Sequence, residues 1–218
     1  AANCFYSSVD GVLFDENQTT LIQCPGGKTG SYLIPNSASS IGHYAFSSCS
    51  SLTYVTIPDS VTNIGSSAFS HCISLTTVNI PESVARISDL AFWGCTRLTG
   101  FYFKGEAPRL GRYRSLACPN ATVYYLPGTA GWGATYGGCP TALWQPLLQT
   151  MDGYLGVRDN QFGFMITWAS GMVVVMEACT NLTDLIWYPL QTNTLTDGSL
   201  YFIDPQWTNY PTRFYRLR

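Results

Sequence analysis

The sequence predicts a mainly β chain in which a solenoid of 23-residue units is followed by a small antiparallel β-sandwich. Three observations carry that expectation. The segment "SSIGHYAFSSCSSLTYVTIP" at 39–58 is answered in phase by "TNIGSSAFSHCISLTTVNIP" at 62–81. Cys49, Cys72, Cys95 and Cys118 then stand 23 residues apart each time, the signature of a structural repeat. Beyond residue 150 the repeat is gone, and short apolar runs alternate with Asn, Asp, Gly and Pro turns.

Composition bounds the function. The 218 residues are 46% hydrophobic, enough for a buried core, while only 11% are charged and the net charge is −2. Neither a nucleic-acid footprint nor an acidic tail is written into such a chain, so a nucleic-acid partner is not expected. No run reaches the roughly 18–20 apolar residues of a membrane span, the best being "GMVVVMEA" at 171–178. The chain starts at Ala1 with neither Met nor a leader, which fits a processed or partial chain.

Taken in order, residues 1–34 hold two apolar runs, "GVLF" and "TTLIQC", separated by turn formers, and predict a hairpin that caps the first repeat. Residues 35–127 hold the solenoid. Its columns are Ile41, Ile64, Ile87 and Leu110; Leu52, Leu75 and Leu98; and Ile57, Ile80, Phe103 and Leu126. Each unit offers roughly seven inward apolar side chains at about 1.5–2 kcal/mol apiece, no more than the entropy of ordering it, so units must stack. "LTYVTI" reads as a strand with Leu52, Val55 and Ile57 inward, ended by Pro58, and Pro35, Pro81 and Pro127 keep that phase. "IGHYAFSSC" reads as an irregular or one-turn helical side, with Gly42 and Gly65 supplying a tight bend. At Arg114-Ser115 the repeated Ala-Phe pair is lost, as where a solenoid ends. Residues 128–150, opening "PGTAGWGATYGGCP", read as a Gly-rich linker or loop. Residues 151–218, with "QFGFMITW", "GMVVVMEACT" and "LYFIDP", read as the β-module.

The stretch "IGSSAFSHCISLTTVNIPESV" resembles the BspA-like leucine-rich repeat of bacterial surface proteins, over about residues 30–127. The resemblance implies a leucine-rich repeat solenoid, an N-terminal hairpin of the kind seen in that family, and an extracellular or cell-surface location. The segment "EACTNLTDLIWYPLQTNTLTDGSLYFIDPQWTNYPTRFYRLR" is similar to the C-terminal module of large secreted proteins of Verrucomicrobia-like bacteria, and no activity comes with that likeness.

Stacking places residue i beside i+23 at roughly 5 Å, so columns can be read for chemistry. The four cysteines of the repeat read as buried thiols, while Cys4, Cys24, Cys139 and Cys179 fall outside the column and are available to pair. His43, Ser66, Asp89 and Arg112 share a column, but the serine sits between the other two and His43 and Asp89 lie ~10 Å apart, the wrong order for a triad. With no H-x-x-x-H or C-x-x-C spacing, no metal and no cofactor are expected. Asp59 and Glu82 read as solvated turn residues.

The outward strand face is the preferred candidate. Tyr54, Thr77, Gly100 and Val123 form one column there, and Thr56, Asn79, Tyr102 and Tyr125 another, aromatics interleaved with amide and hydroxyl groups. Residues 86–114 add six basic side chains against two carboxylates, so Arg97, Arg109 and Arg112 join the expected ligand-binding set as a basic patch for an anionic partner. The sequence therefore predicts a non-enzymatic recognition or adhesion module that binds a protein or polysaccharide. Its alternatives are a hydrolase without a recognised motif and a structural spacer.

Overall fold

A computed structural model describes residues 5–118, 120–149, 154–183 and 186–218, so the pairing expected of Cys4 lies outside the described residues. The chain divides into two compact units, Ala1–Trp144 and Gln145–Arg218.

The first unit is a stack of coils, each contributing one rung to two parallel ladders. The longer ladder runs in two paired segments: Gly30–Leu33 with Leu52–Thr56, then Thr77–Ile80, Gly100–Phe103, Thr122–Tyr125 and Cys139–Leu143. The shorter ladder has two-residue rungs at Ser40–Ile41, Asn63–Ile64, Arg86–Ile87 and Arg109–Leu110. The 23-residue pairing is explicit in the registers Ile41↔Ile64, Ile64↔Ile87 and Val78↔Phe101. Leu52, Leu75 and Leu98 are all fully buried in one row, as are Ile41, Ile64 and Ile87. Phe46, Phe69 and Phe92 stack with ring centroids 4.9 and 5.0 Å apart and planes within 5° and 3°. Pro35, Pro58 and Pro81 end the strands, and their carbonyls accept from the N–H three residues on, closing a turn toward the short ladder.

The side carrying Ala45, Ala68 and Ala91 is built of turns, not of a helical turn, and its N–H groups cross to the next coil, as from Phe46 to Ala68 and from Phe69 to Ala91, both 2.7 Å. Its left-handed positions fall at Tyr44, Ser67 and Leu90 and at Ser48, His71 and Gly94. Gly42 and Gly65 have no positive φ and serve close approach instead: a Cβ on Gly65 would stand 2.7 Å from the carbonyl oxygen of Gly42. Coils meet there backbone to backbone.

At the N-terminal end, Tyr6–Val9, Val12–Asp15 and Thr20–Gln23 form an antiparallel meander whose last strand pairs in parallel with Ser40–Ile41. It covers the open coil with Val12, Phe14 and Leu21, all fully buried.

The far end departs from the sequence reading in three ways. First, the register slips by one residue after Cys118: Val123 stands opposite Phe101, Tyr124 opposite Tyr102 and Tyr125 opposite Phe103. An outward Val123 would leave an apolar side chain in water, and the slip buries it completely. Second, Arg114-Ser115 does not end the stack, because Ser115 accepts from the Phe92 N–H and Leu116 is fully buried. Third, residues 128–144 are folded. Cys139–Leu143 adds a parallel rung beside Thr122–Tyr125, and Thr135–Tyr136 pairs with it. Gly128, Gly131, Gly137 and Gly138 have positive φ and turn the chain so that Trp132 and Tyr136 pack on Phe103.

Cys24 and Cys139 join the thiol column. All seven described cysteines are free and buried. In the repeats, the thiols of Cys72, Cys95 and Cys118 point at the carbonyls of Phe46, Phe69 and Phe92 at 3.0, 3.0 and 3.2 Å.

The second unit is a sandwich of two antiparallel sheets. In one, Gln161–Thr167 pairs with Leu147–Gln149, Gly156–Arg158 and Ser199–Asp204. In the other, Val173–Cys179 lies between Tyr188–Thr194 and Phe214–Leu217. Phe164, Ile166, Val174, Met176, Leu195 and Phe202 fill the space between them. Two buried carboxylates are ion-paired: Asp204 lies 2.7 Å from Arg213 and accepts from the Tyr215 hydroxyl, and Glu177 is held by Arg216 at 2.6 Å and Arg218 at 3.0 Å.

Candidate functional site: the outward face of the long ladder

The long ladder turns one side chain in two away from the core, and those side chains form an aromatic and amide row. Asn79 Nδ2 donates to the Tyr54 hydroxyl at 3.2 Å, bridging two coils. Tyr102 follows, its ring leaning back over Gly100, where a Cβ would come within 2.9 Å of the ring. Tyr102 stacks on Tyr124 with centroids 4.8 Å apart and planes 10° apart, and Trp144 leans on Tyr102 at 5.0 Å and 59°. Burial, reinforced by the neighbouring Tyr124, pushes the Tyr102 phenol above its ordinary value.

The geometry limits what this row can do. Because Tyr102 and Tyr124 cover each other's faces, the surface they offer is ring edge and hydroxyl. Thr56 is exposed at the rim, and the neighbouring exposed threonines serve the ladder: Thr53 and Thr99 hydroxyls donate to the carbonyls of Gly30 and Thr76 at 2.9 and 3.2 Å.

Of the residues expected from sequence to bind a ligand, Tyr54, Thr56, Asn79 and Tyr102 stand on this face. Tyr125 does not. The slip puts it opposite Phe103, its ring stacked on Trp132 at 5.2 Å and 12°. Tyr124 takes its place, and Trp144 joins from a segment read as linker. The signal for Tyr124 was present, since an outward Val123 already sat badly in a polar column.

The basic side chains are not one patch. Arg109 neighbours Arg86 on the short ladder, Arg112 follows in the adjoining turn, and Arg97 sits in the turn that leads into the long ladder. All are exposed. The ion pairs of the described residues all lie in the second unit.

In the column of His43, Ser66 and Asp89, the side chains of His43 and Asp89 cap backbone groups. His43 Nδ1 accepts from the Ser66 N–H at 3.2 Å, and Asp89 Oδ1 accepts from the Tyr113 N–H at 3.0 Å. Each side chain ties its coil to the next. Among the described residues no group of three His, Cys, Asp or Glu side chains is arranged to hold a metal ion, and no helix is long and apolar enough to cross a membrane.

Stacked coils with inward apolar rows and an outward polar face define a leucine-rich repeat solenoid. Residues 27–129 match the BspA type leucine rich repeat region in six copies. Among solved structures, the pneumococcal vaccine antigen PcpA is similar at 28% identity and a TM-score of 0.53, over 56% of this chain and 30% of that one. A leucine rich cell surface protein of Faecalibacterium prausnitzii shares 24% identity over 50% of this chain and 39% of that one, with a TM-score of 0.36. A leucine-rich repeat protein of Eubacterium ventriosum shares 19% over 72% and 54%, with a TM-score of 0.42. The chain thus spans between about a third and a half of the lengths of these proteins. No curated protein matches it.

Proposed function

We propose that the chain is a non-enzymatic recognition or adhesion module that binds a protein partner through the outward face of the long ladder, displayed outside a bacterial cell. The observation that carries this reading is the row Tyr54, Asn79, Tyr102, Tyr124 and Trp144, held in fixed register by the coils beneath. Rigid aromatic side chains with polar tips lose little entropy on binding and supply most of the energy at protein interfaces. Ring edges and hydroxyls in line suit the backbone and side chains of a protein better than the flat face of a sugar. Surface display is supported by the repeat family and by the similarity to a vaccine antigen.

The test is capture from a surface extract of co-resident cells, comparing the natural chain with Tyr54→Ser/Tyr124→Ser and with Arg112→Ala. The reading requires one saturable partner whose capture falls at least tenfold in the first variant and is kept in the second. Equal capture by all three chains, or capture lost only with Arg112→Ala, removes the strand face from the account.

A further inference from the structure

The second unit contains a cleft of about 290 Å³ lined by Tyr154, Arg158, Asp159, Gln161, Tyr201 and Ile203. We propose that this cleft binds a neutral hexopyranose unit of a polysaccharide. This site is separate from the strand face of the solenoid and does not depend on it.

Its polar groups are held rigidly. Arg158 pairs with Gln161 across a two-residue hairpin turn whose central residues, Asp159 and Asn160, have φ of 48° and 60°. Those left-handed values match the twist of the flanking strands. The Trp207 indole N–H donates to the Asn160 carbonyl at 3.2 Å and braces the turn from outside. Asp159 and Gln161 therefore flank the cleft at fixed positions, one an acceptor and the other both donor and acceptor, the pair needed by two neighbouring hydroxyls.

The apolar wall is also specific. Tyr201 leans over Gly163 on the adjacent strand, and a Cβ at Gly163 would come within 3.0 Å of its ring. The glycine makes room for the ring. Unlike Tyr102 and Tyr124, neither Tyr201 nor Tyr154 stacks on another aromatic ring among the described residues. A ring face free of aromatic partners meets the C–H face of a pyranose, whose slightly positive hydrogens are attracted to the π cloud. The lining holds one basic and one acidic side chain, Arg158 and Asp159, with no excess of either sign, which favours a neutral hydroxylated ring over an anion. The volume suits a single sugar ring, just below the range of about 300–1,000 Å³ usual for larger ligands.

The experiment is affinity electrophoresis of the whole 218-residue chain in native gels containing soluble β-glucan, dextran, mannan or galactan. Five chains are compared: natural, Tyr201→Ala, Tyr201→Phe, Asp159→Gly and Tyr102→Ala. Glycine is at ease at the positive φ of residue 159, so Asp159→Gly removes the carboxylate without straining the turn. The natural chain is expected to be retarded by at least one polymer. Tyr201→Phe and Tyr102→Ala keep the affinity within about twofold, while Tyr201→Ala and Asp159→Gly lose at least tenfold. Retardation that survives either cleft variant, or is absent with all four polymers, overturns the proposal. Loss confined to Tyr102→Ala places the sugar on the solenoid and overturns it too, while an unretarded chain leaves the protein-binding reading of the strand face intact.

Discussion

Replacing Phe69 by alanine removes the middle ring of the Phe46–Phe69–Phe92 stack, whose neighbours lie 4.9 and 5.0 Å away on the adjoining coils. The site is fully buried, and each neighbour is fixed by its own coil, so the cavity cannot collapse readily. A Phe→Ala change in such a core costs about 3–5 kcal/mol, and the loss of two stacked ring pairs puts this one at the upper end. Nearest-neighbour coupling sets the consequence, since the affected interfaces join coils in the middle of the solenoid. Urea unfolding followed by hydrogen exchange in the peptides covering 64–80 reads the solenoid apart from the second unit. Phe69→Leu should cost about 1–1.5 kcal/mol, because it keeps most of the volume and loses the stacking. A cost for Phe69→Ala below about 1 kcal/mol, no greater than that of truncating the exposed Ile73, would refute the stacked-coil energetics.

Further outcomes follow from the thiol column, the coil contacts and the buried ion pair of the second unit. The column thiols should resist a thiol-specific reagent at neutral pH and react fully in denaturant. Hydrogen bonding to Cys118 and burial push Cys95 from 9.0 up to about 12, and hydrogen bonding to Cys95 with burial raises Cys72 as well. Thiols neutral in the fold but ionised when unfolded contribute stability in full below pH 9, which is lost progressively as pH rises from there toward 12; a melting temperature unchanged over that window contradicts this. Gly65→Ala should destabilise the solenoid by about 1–3 kcal/mol in a urea titration, because the new methyl meets the Gly42 backbone at 2.7 Å; a neutral result means the coils can part there. Asp204→Ala should cost the second unit about 3–5 kcal/mol, since it strands the Arg213 guanidinium, only 9% exposed, and should leave exchange in the solenoid unchanged.

The stack of coils was legible because a strict period forces each apolar side chain beside its own counterpart, as Leu52, Leu75 and Leu98 show. The hairpin runs near Val12 and Leu21 and the sandwich strands were legible from their apolar runs and turn residues. What escaped the reading lay where the period weakens. The one-residue slip before Val123 was hidden because Cys118 remains in phase with Cys95 and the omitted residue falls in the turn between them and the strand. Consistent alternation favoured the slipped register, but column arithmetic alone did not reveal it. The glycines of 128–138 suggested a linker because positive φ serves a tight cap equally well, and only the packing of Trp132 and Tyr136 on Phe103 distinguishes the two. Cys24 and Cys139 were out of phase by two residues in sequence yet in line in space, since turns of different length lead into those coils. On the candidate face, Tyr54, Asn79 and Tyr102 came from the repeat itself, whereas Tyr124 and Trp144 depend on the irregular final coils. The basic residues were close in sequence, but the coil carries them to different segments of its circumference.

The register of the final coil decides which tyrosine stands on the outward face of the long ladder, and thiol cross-linking reads that register most directly. Neighbouring outward positions on adjacent strands stand about 4.8 Å apart, within the range a disulfide spans. Tyr102→Cys/Tyr124→Cys should therefore oxidise readily to an intramolecular bridge, detected as a loss of two reactive thiols, while Tyr102→Cys/Tyr125→Cys should keep both. Bridging in the second chain and not in the first would restore the unbroken 23-residue phase, return Tyr125 to the face, and contradict the arrangement on which the proposed binding row rests.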